Sequence, residues 1–232
     1  MPARLVKLDT TPSLVDRVHR ALLDAIVDGS LPAGARLAQE QIARQLAVSR
    51  QPVLQALRQL KAEGLVLDAP GRGLLVAPLG AGEITGVYQV RAALDVLAAR
   101  LAAQRRVTLD PELIKRGRKA SRGSDVNELI EADVAFHTAI YAASGNPLIE
   151  PSAHVHWRHI RRAMGAVLQK STLRVTVWDE HEAIAKAIGR GDADQAARLM
   201  SGHDQRASEH ISRQLVSANQ ALSSKASAGA RR

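Results

Sequence analysis

The sequence predicts a mainly α-helical protein, with an N-terminal winged helix-turn-helix that includes a small β-hairpin, followed by an all-α antiparallel helical bundle. Residues 12–78 contain three segments with helical apolar spacing and then two short apolar β-runs around a glycine-rich tip. From residue 86 onward the apolar spacing is helical and no β-pattern returns. With 46% hydrophobic residues in a chain of 232, each module can bury a core.

The composition excludes several classes of protein. The chain has no cysteine, which rules out disulfide frameworks, iron–sulfur clusters and thiol nucleophiles and leaves histidine and carboxylates as metal ligands. Two Trp, two Tyr and one Phe are too few for a surface that stacks single-stranded bases. Because no apolar run of about 18 residues and no signal-peptide core occurs, we expect a cytoplasmic protein with no membrane partner. The net charge of +9 indicates a polyanionic partner, but the basic residues are spread along the chain and do not locate its site.

The first two helices are predicted from capping and turn residues. Ser13 is placed to cap the first helix, Asp16 favours its positive end, and apolar residues then follow helical spacing as far as Gly29. A Leu-Pro-Ala-Gly turn at residues 31–34 separates this helix from a short second one over residues 40–46. Residues 1–11 are expected to form a tail ahead of this module.

The third helix and the hairpin complete the winged helix-turn-helix. Ser49 is expected to cap the third helix and Gly64 to end it, with Val53, Leu57 and Leu60 as its buried stripe. Two short β-runs follow, residues 65–67 and 74–76, joined by a glycine-rich tip over residues 69–73.

The third helix has the side chains of a DNA-reading helix. With its apolar stripe turned inward, a set of polar and aliphatic side chains projects from its first and middle turns: Arg50, Gln51, Leu54, Gln55 and Arg58. Arginine pairs with guanine and glutamine with adenine in the major groove, while Arg72 at the wing tip is placed to reach the backbone or minor groove. The alternative is a small helical domain used for protein contacts, since helix-turn-helix packing also occurs without DNA binding.

Residues 31–37, 48–60 and 63–66 together resemble the winged helix of the GntR family of bacterial transcription regulators. The sequence departs from the usual family pattern at two positions, with Gln51 in place of Thr and Leu54 in place of Arg, and it keeps Arg50 and Arg58. Leucine at position 54 can touch a thymine methyl group but cannot bind a phosphate. The resemblance implies a homodimer that binds double-stranded DNA at an inverted-repeat operator.

The second module is predicted to span residues 86–220, after a linker at residues 79–85 and before a disordered tail at residues 221–232. An apolar stripe over residues 87–101 marks its first helix. Five more helices are predicted, over residues 110–120, 125–143, 147–168, 173–189 and 193–217. Six helices with short connections favour an antiparallel bundle, a fold in which ligand and metal sites lie between facing helices.

The histidines of this second module suggest such a site. Asp133 and His137 lie one helical turn apart on an apolar face, and His181 and His203 lie on or beside apolar stripes of two other helices. A buried carboxylate is costly unless it is neutralised, and a divalent cation bound by one Asp oxygen and three imidazoles would neutralise it. The alternative for each single histidine is a hydrogen-bonded core residue.

Several segments of the second module resemble the FCD effector domain of the FadR subfamily of GntR regulators, including residues 133–137, 144–148, 180–184 and 187–203. The resemblance implies a divalent metal at Asp133, His137, His181 and His203, with Zn²⁺ expected ahead of Ni²⁺ or Mn²⁺, and a small organic acid as the effector. Arg91 matches a recurrent family arginine and either pairs with the effector carboxylate or forms a salt bridge, at the surface or between helices.

The sequence therefore predicts a ligand-responsive DNA-binding regulator, a repressor rather than an enzyme. One alternative is a metal-dependent helical-bundle enzyme acting on a small carboxylate. That alternative lacks support, because paired Glu-x-x-His helices, an H-E-x-x-H motif, a Walker loop and a G-x-S-x-G elbow are all absent from the sequence. A second alternative is a metal that is purely structural or is itself the sensed ligand.

Overall fold

The computed structural model describes residues 13–168 and 173–229, so the predicted tail at residues 1–11 and the last three residues lie outside it. The chain divides into two compact units, Met1–Pro78 and Leu79–Arg232. No helix among the described residues is both long enough and apolar enough to cross a membrane. The predicted fold class, a winged helix-turn-helix followed by an all-helical bundle, is confirmed.

Among its described residues, the first unit contains three helices and a three-stranded antiparallel sheet. In chain order these are α1 (Leu14–Val27), β1 (Arg36–Leu37), α2 (Gln39–Gln45), α3 (Arg50–Ala62), β2 (Val66–Asp68) and β3 (Leu74–Val76). The predicted hairpin is β2–β3, and β1 adds to its other edge in the order β1-β3-β2. A strand of two residues is too short to show an alternating pattern, which explains why the sequence did not predict β1. Arg36 on this strand donates hydrogen bonds to the carbonyls of Pro70 and Arg72, which ties the wing tip to the unit.

The two predicted helix caps have different outcomes. Ser13 and Asp16 form a reciprocal capping box, as expected: Ser13 Oγ accepts from the Asp16 amide at 3.2 Å, and Asp16 Oδ2 accepts from the Ser13 amide at 3.0 Å. Ser49 occupies the N-cap position of α3, but its side chain makes no capping hydrogen bond. The third residue of α3 is Pro52, which has no amide hydrogen to offer, so the expected cap loses one of its two usual donors.

The second unit contains six helices among the described residues. They are α4 (Ala81–Gln104), α5 (Pro111–Arg122), α6 (Val126–Ser144), α7 (Ile149–Val167), α8 (Leu173–Arg190) and α9 (Ala193–Gly229). Helix α4 packs against α6, α7, α8 and α9, so these four helices surround it. The site described below is built on α4, α6, α8 and α9.

Two predicted boundaries of this unit differ from the structure. Helix α4 begins at Ala81, so most of the predicted linker at residues 79–85 is helical; Gly80 is the N-cap and Ile84 is already buried in the core. Helix α9 continues to Gly229, through most of the segment predicted to be a disordered tail. Residues 221–229 include three alanines, the residue with the highest helix propensity, and they extend a helix that is already formed.

Small residues determine how closely some of these helices pack. Gly145 (φ 71°) and Gly191 (φ 78°) provide the left-handed turns after α6 and α8, at the two breaks predicted from the sequence. Gly117 on α5 lies directly against the ring of Trp178 on α8, and a Cβ atom at position 117 would lie 2.0 Å from that ring. The spacing of α5 and α8 therefore depends on the missing side chain.

Candidate functional site

Four potential metal ligands meet in the core of the second unit. Helix α6 contributes Asp133 and His137, α8 contributes His181, and α9 contributes His203. All four are buried, and one candidate ligand atom from each lies within 4.8 Å of the other three. The structure therefore brings together the four residues that the sequence analysis named as a candidate metal site.

The atoms that face each other in this cluster are poorly satisfied by protein hydrogen bonds alone. His181 Nε2 lies 3.3 Å from His203 Nε2 and 3.4 Å from Asp133 Oδ1. His137 Nε2 is buried and has no hydrogen-bond partner in the described structure. A buried nitrogen without a partner is costly, whereas a shared cation would accept the lone pairs of all three imidazoles.

The protonation states of two of the three histidines suit metal binding. Burial, with a smaller contribution from the Arg91 charge, lowers the pKa of His137 to about 3. Burial and the neighbouring His203 lower the pKa of His181 well below its ordinary value. For His203 burial also lowers the pKa, but the hydrogen bond to Glu180 and the nearby aspartates outweigh it and raise the pKa overall. His137 and His181 are therefore neutral near pH 7, as metal ligands must be.

Arg91 forms the buried salt bridge that the sequence analysis kept as the alternative to effector binding. Its Nη2 lies 2.5 Å from Asp204 Oδ1 and its Nε lies 3.0 Å from Asp95 Oδ2. The guanidinium carbon also stacks 4.4 Å from the centre of the Trp157 ring. The same arginine also lines the cavity described next.

A small cavity opens beside the metal-ligand cluster. Its volume is about 60 Å³, which is room for roughly four to six waters at 10–15 Å³ each. Its polar lining includes Asp133 of α6 and His203 of α9, both members of the cluster, together with Tyr88 and Arg91 of α4. His210, which was not among the predicted site residues, also lines it. The apolar lining comprises Leu129, Met164, Leu168, Val177, Ala207 and Ile211. A cavity of this size and lining fits a small molecule with a charged end and an apolar end.

The charges around the cluster favour a divalent cation. Three buried carboxylates, Asp95, Asp133 and Asp204, surround one buried guanidinium, that of Arg91. Burial, and after it the nearby Asp95 charge, raises the pKa of Asp204. One carboxylate oxygen and three imidazole nitrogens form a donor set that suits Zn²⁺ and is compatible with Ni²⁺ or Mn²⁺.

Three acidic residues near the cluster were not identified as site residues from the sequence. Glu180 Oε2 lies 2.9 Å from His203 Nδ1, Asp95 Oδ2 lies 3.1 Å from His137 Nδ1, and Asp204 pairs with Arg91. A weak signal existed for each. Glu180 and Asp204 directly precede or follow a candidate ligand in the sequence, and Asp95 follows Arg91 by one helical turn.

The exposed side of α3 in the first unit carries the residues predicted to contact DNA. Arg50, Gln51, Gln55 and Arg58 are exposed, while Leu54 is only half-buried. Arg50 Nη1 lies 2.7 Å from Glu40 Oε1 on α2. The opposite side is buried, as predicted for Val53, Leu57 and Leu60, and it also includes Pro52 and Ala56. Arg72 is exposed at the tip between β2 and β3, where the analysis placed it.

Two protein-family models match the chain, one for each unit. Residues 14–76 match the family described as bacterial regulatory proteins, gntR family, and residues 86–206 match the FCD domain. Together these ranges include the residues predicted to contact DNA and the four candidate metal ligands.

Named relatives and solved structures agree with these matches. An Escherichia coli K12 protein, provisionally named the L-lactate dehydrogenase operon regulatory protein, is 30% identical over 88% of this chain and 84% of its own length. The HTH-type transcriptional regulator LutR of Bacillus subtilis 168 is 32% identical over 77% of this chain and 92% of its own length. The solved structure of E. coli McbR/YncC matches the fold with a TM-score of 0.71 at 22% identity, covering 87% of this chain and 98% of that one.

Proposed function

Because the chain belongs to the GntR family of bacterial regulatory proteins and carries an FCD domain, we propose that it is a cytoplasmic transcriptional repressor that responds to a small organic acid. Members of this family are DNA-binding transcription regulators, so the protein is a regulator and not an enzyme. The proposal adds a divalent metal at Asp133, His137, His181 and His203, most simply Zn²⁺, as the centre that holds the acid.

The observation that carries the proposal is the position of the cavity between the metal-ligand cluster and Arg91. Asp133 and His203 belong both to the cluster and to the cavity lining, so a molecule in the cavity would touch the metal centre directly. When bound, the ion would supply a Lewis-acidic site for carboxylate oxygens. Arg91 adds a fixed positive charge and the apolar lining favours a short hydrocarbon end.

The cavity volume limits the acid to a few heavy atoms. A volume of about 60 Å³ is too small for a long-chain acid and favours a short one. The name of the E. coli relative mentions the L-lactate dehydrogenase operon, which makes L-lactate the first acid to test.

DNA recognition is proposed to use the exposed side of α3 and the wing. Arg50, Gln51, Leu54, Gln55 and Arg58 would face the major groove and Arg72 the backbone or minor groove. One such unit covers about half of an operator, so we propose a homodimer that binds an inverted repeat. The acid releases DNA only if it binds the DNA-competent and incompetent conformations with different affinity.

A fluorescence anisotropy titration tests this function directly. The operator is first selected from genomic fragments, and its affinity is then measured at fixed salt with metal-loaded protein, with and without 2- to 5-carbon acids including L-lactate. We expect one acid to weaken DNA binding at constant metal concentration. Chelated protein and the Asp133→Ala variant should lose this response. A normal response in either would contradict the metal-centred mechanism, and loss of DNA binding on metal removal with no effect of any acid would indicate a metal sensor.

A further inference from the structure

We propose that Asp95 and Glu180 are positioning residues of the metal centre, each holding the Nδ1 side of one histidine so that His137 and His203 present Nε2 to the ion. This inference rests on the proposed metal site. A neutral imidazole that binds a metal through one nitrogen carries its proton on the other, and a carboxylate at that second nitrogen fixes both the tautomer and the ring orientation. The two carboxylates come from α4 and α8, and the two histidines from α6 and α9.

Glu180 contacts a histidine on α9 rather than the histidine next to it in the sequence. It precedes His181 in α8, yet its Oε2 lies 2.9 Å from Nδ1 of His203 on α9. Its other oxygen accepts a hydrogen bond of 2.6 Å from Nε of Arg206, one turn further along α9. The imidazole of His203 and the guanidinium of Arg206 thus hold the two carboxylate oxygens of Glu180 in place. His203 Nε2 is left to face His181 Nε2 at 3.3 Å.

Asp95 plays the same part for His137 and is completely buried. Its Oδ2 lies 3.1 Å from His137 Nδ1 and 3.0 Å from Arg91 Nε, both ion-pair distances at which the N–H vectors are not fully aligned for hydrogen bonds. Its Oδ1 accepts a hydrogen bond of 2.5 Å from the Tyr141 hydroxyl. With Nδ1 facing a carboxylate, His137 has only Nε2 for the ion. Asp95 thereby links a metal ligand to Arg91, a cavity residue.

His181 provides an internal contrast. Its Nδ1 is buried and has no hydrogen-bond partner in the described structure. Its ring instead stacks on Phe136, with centroids 4.2 Å apart, and meets the edge of Trp178 at 4.6 Å. The orientation of His181 is therefore determined by aromatic packing, and only His137 and His203 need a carboxylate.

Cobalt titration of the purified full-length protein tests the role of each carboxylate. Asp95→Asn and Glu180→Gln remove one negative charge at nearly constant volume, and we expect each to weaken Co²⁺ binding by about 10- to 100-fold and to shift the visible absorption bands. Glu182→Gln is the matched control on α8, because Glu182 pairs with Arg118 and Lys186, and it should bind Co²⁺ as the wild type does. Asp204→Asn removes a buried carboxylate that pairs with Arg91 and separates loss of charge from loss of positioning.

Tautomers measured on the wild type give a readout that does not depend on any variant folding. In long-range ¹H–¹⁵N spectra of the zinc-loaded protein, we expect His137 and His203 to carry their proton on Nδ1 and to bind through Nε2. A proton on Nε2 of either residue would overturn the proposal for that residue.

The remaining outcomes separate this inference from the proposed function. Wild-type protein that takes up neither Co²⁺ nor Zn²⁺ would contradict both. Wild-type uptake with unchanged affinity in Asp95→Asn and Glu180→Gln would overturn the positioning role alone. Equal losses in Asp95→Asn and Asp204→Asn would also overturn it for Asp95, because only the total charge would then matter.

Discussion

The two units differ in where they keep their polar side chains. In the first unit the buried residues are apolar and the residues proposed to contact DNA, such as Arg50 and Arg58, are exposed. Among the described residues, every buried charged or polar side chain lies in the second unit, including Arg91, Asp95 and His181. The first unit thus separates stability from function, whereas in the second the same side chains must serve both, because each buried charge needs a partner.

The largest effect expected from this difference concerns Arg91. The Arg91→Ala variant leaves Asp95 and Asp204 buried without their cation, which should lower the free energy of unfolding of the second unit by about 3–5 kcal/mol. Both tryptophans, Trp157 and Trp178, belong to this unit, so tryptophan fluorescence during urea unfolding follows it selectively.

Arg198→Ala is the matched control, because Arg198 is an exposed arginine of the same unit. It should change the free energy by no more than about 0.5 kcal/mol. Equal changes in the free energy of unfolding for the two substitutions would contradict the proposed difference between buried and exposed charge.

Removing the metal is expected to affect one unit only. At a free metal concentration 100 times the dissociation constant, binding stabilises the folded state by about 2.7 kcal/mol, so chelation should lower the melting temperature seen by tryptophan fluorescence. Far-UV circular dichroism should resolve a first-unit transition that does not move. A fluorescence transition unaffected by chelation would contradict metal binding in the second unit.

Substituting Arg50 should separate the units in the opposite sense. We expect Arg50→Ala to abolish specific operator binding, since a bidentate arginine–guanine contact contributes about 1–3 kcal/mol of discrimination. Stability should hardly change, because the Arg50 side chain is exposed and Glu40, with which it forms a salt bridge, is exposed as well. Gel-shift titration at fixed salt measures the affinity, and Arg198→Ala, with the same charge change in the other unit, should bind normally. Unchanged specific binding by Arg50→Ala would refute the groove assignment.

The smallest predicted effect contrasts two caps within the first unit. Ser13→Ala removes the capping box of α1 and should cost about 1 kcal/mol. Ser49→Ala should cost less, because the Ser49 side chain makes no capping hydrogen bond. Thermal unfolding followed by far-UV circular dichroism compares the two, and a larger loss for Ser49→Ala would contradict the structure of the α3 N-terminus.

Sequence reasoning reached the four candidate ligands through a local signal at each and through the resemblance to the FCD domain. Asp133 and His137 share a helix face by their spacing, and His181 and His203 interrupt apolar stripes. The carboxylates around them carry no comparable signal. Arg91 and Asp95 are spaced like an ordinary surface ion pair, and only the burial of α4 by its neighbours distinguishes them.

The helices were predicted better than the short strand and the helix caps, because only the helices carry a strong pattern in the sequence. Helical periodicity over 10 or more residues is a strong signal, and it placed the six helices of the second unit. Strand β1, with two residues, depends on its pairing with β3, and the cap at Ser49 depends on the amide hydrogen that Pro52 lacks. Which helix faces which, and therefore that Glu180 meets His203 rather than serving His181, is a tertiary property.

The contact between Gly117 and Trp178 influences the geometry of the candidate metal site, although neither residue is a candidate ligand. The Trp178 ring lies directly against position 117 and also contacts the ring of His181. A methyl group added at position 117 would have to displace the indole, and the indole would displace the imidazole. A substitution at position 117, on a neighbouring helix, can thus change the orientation of His181 while every candidate ligand and every partner carboxylate stays the same residue.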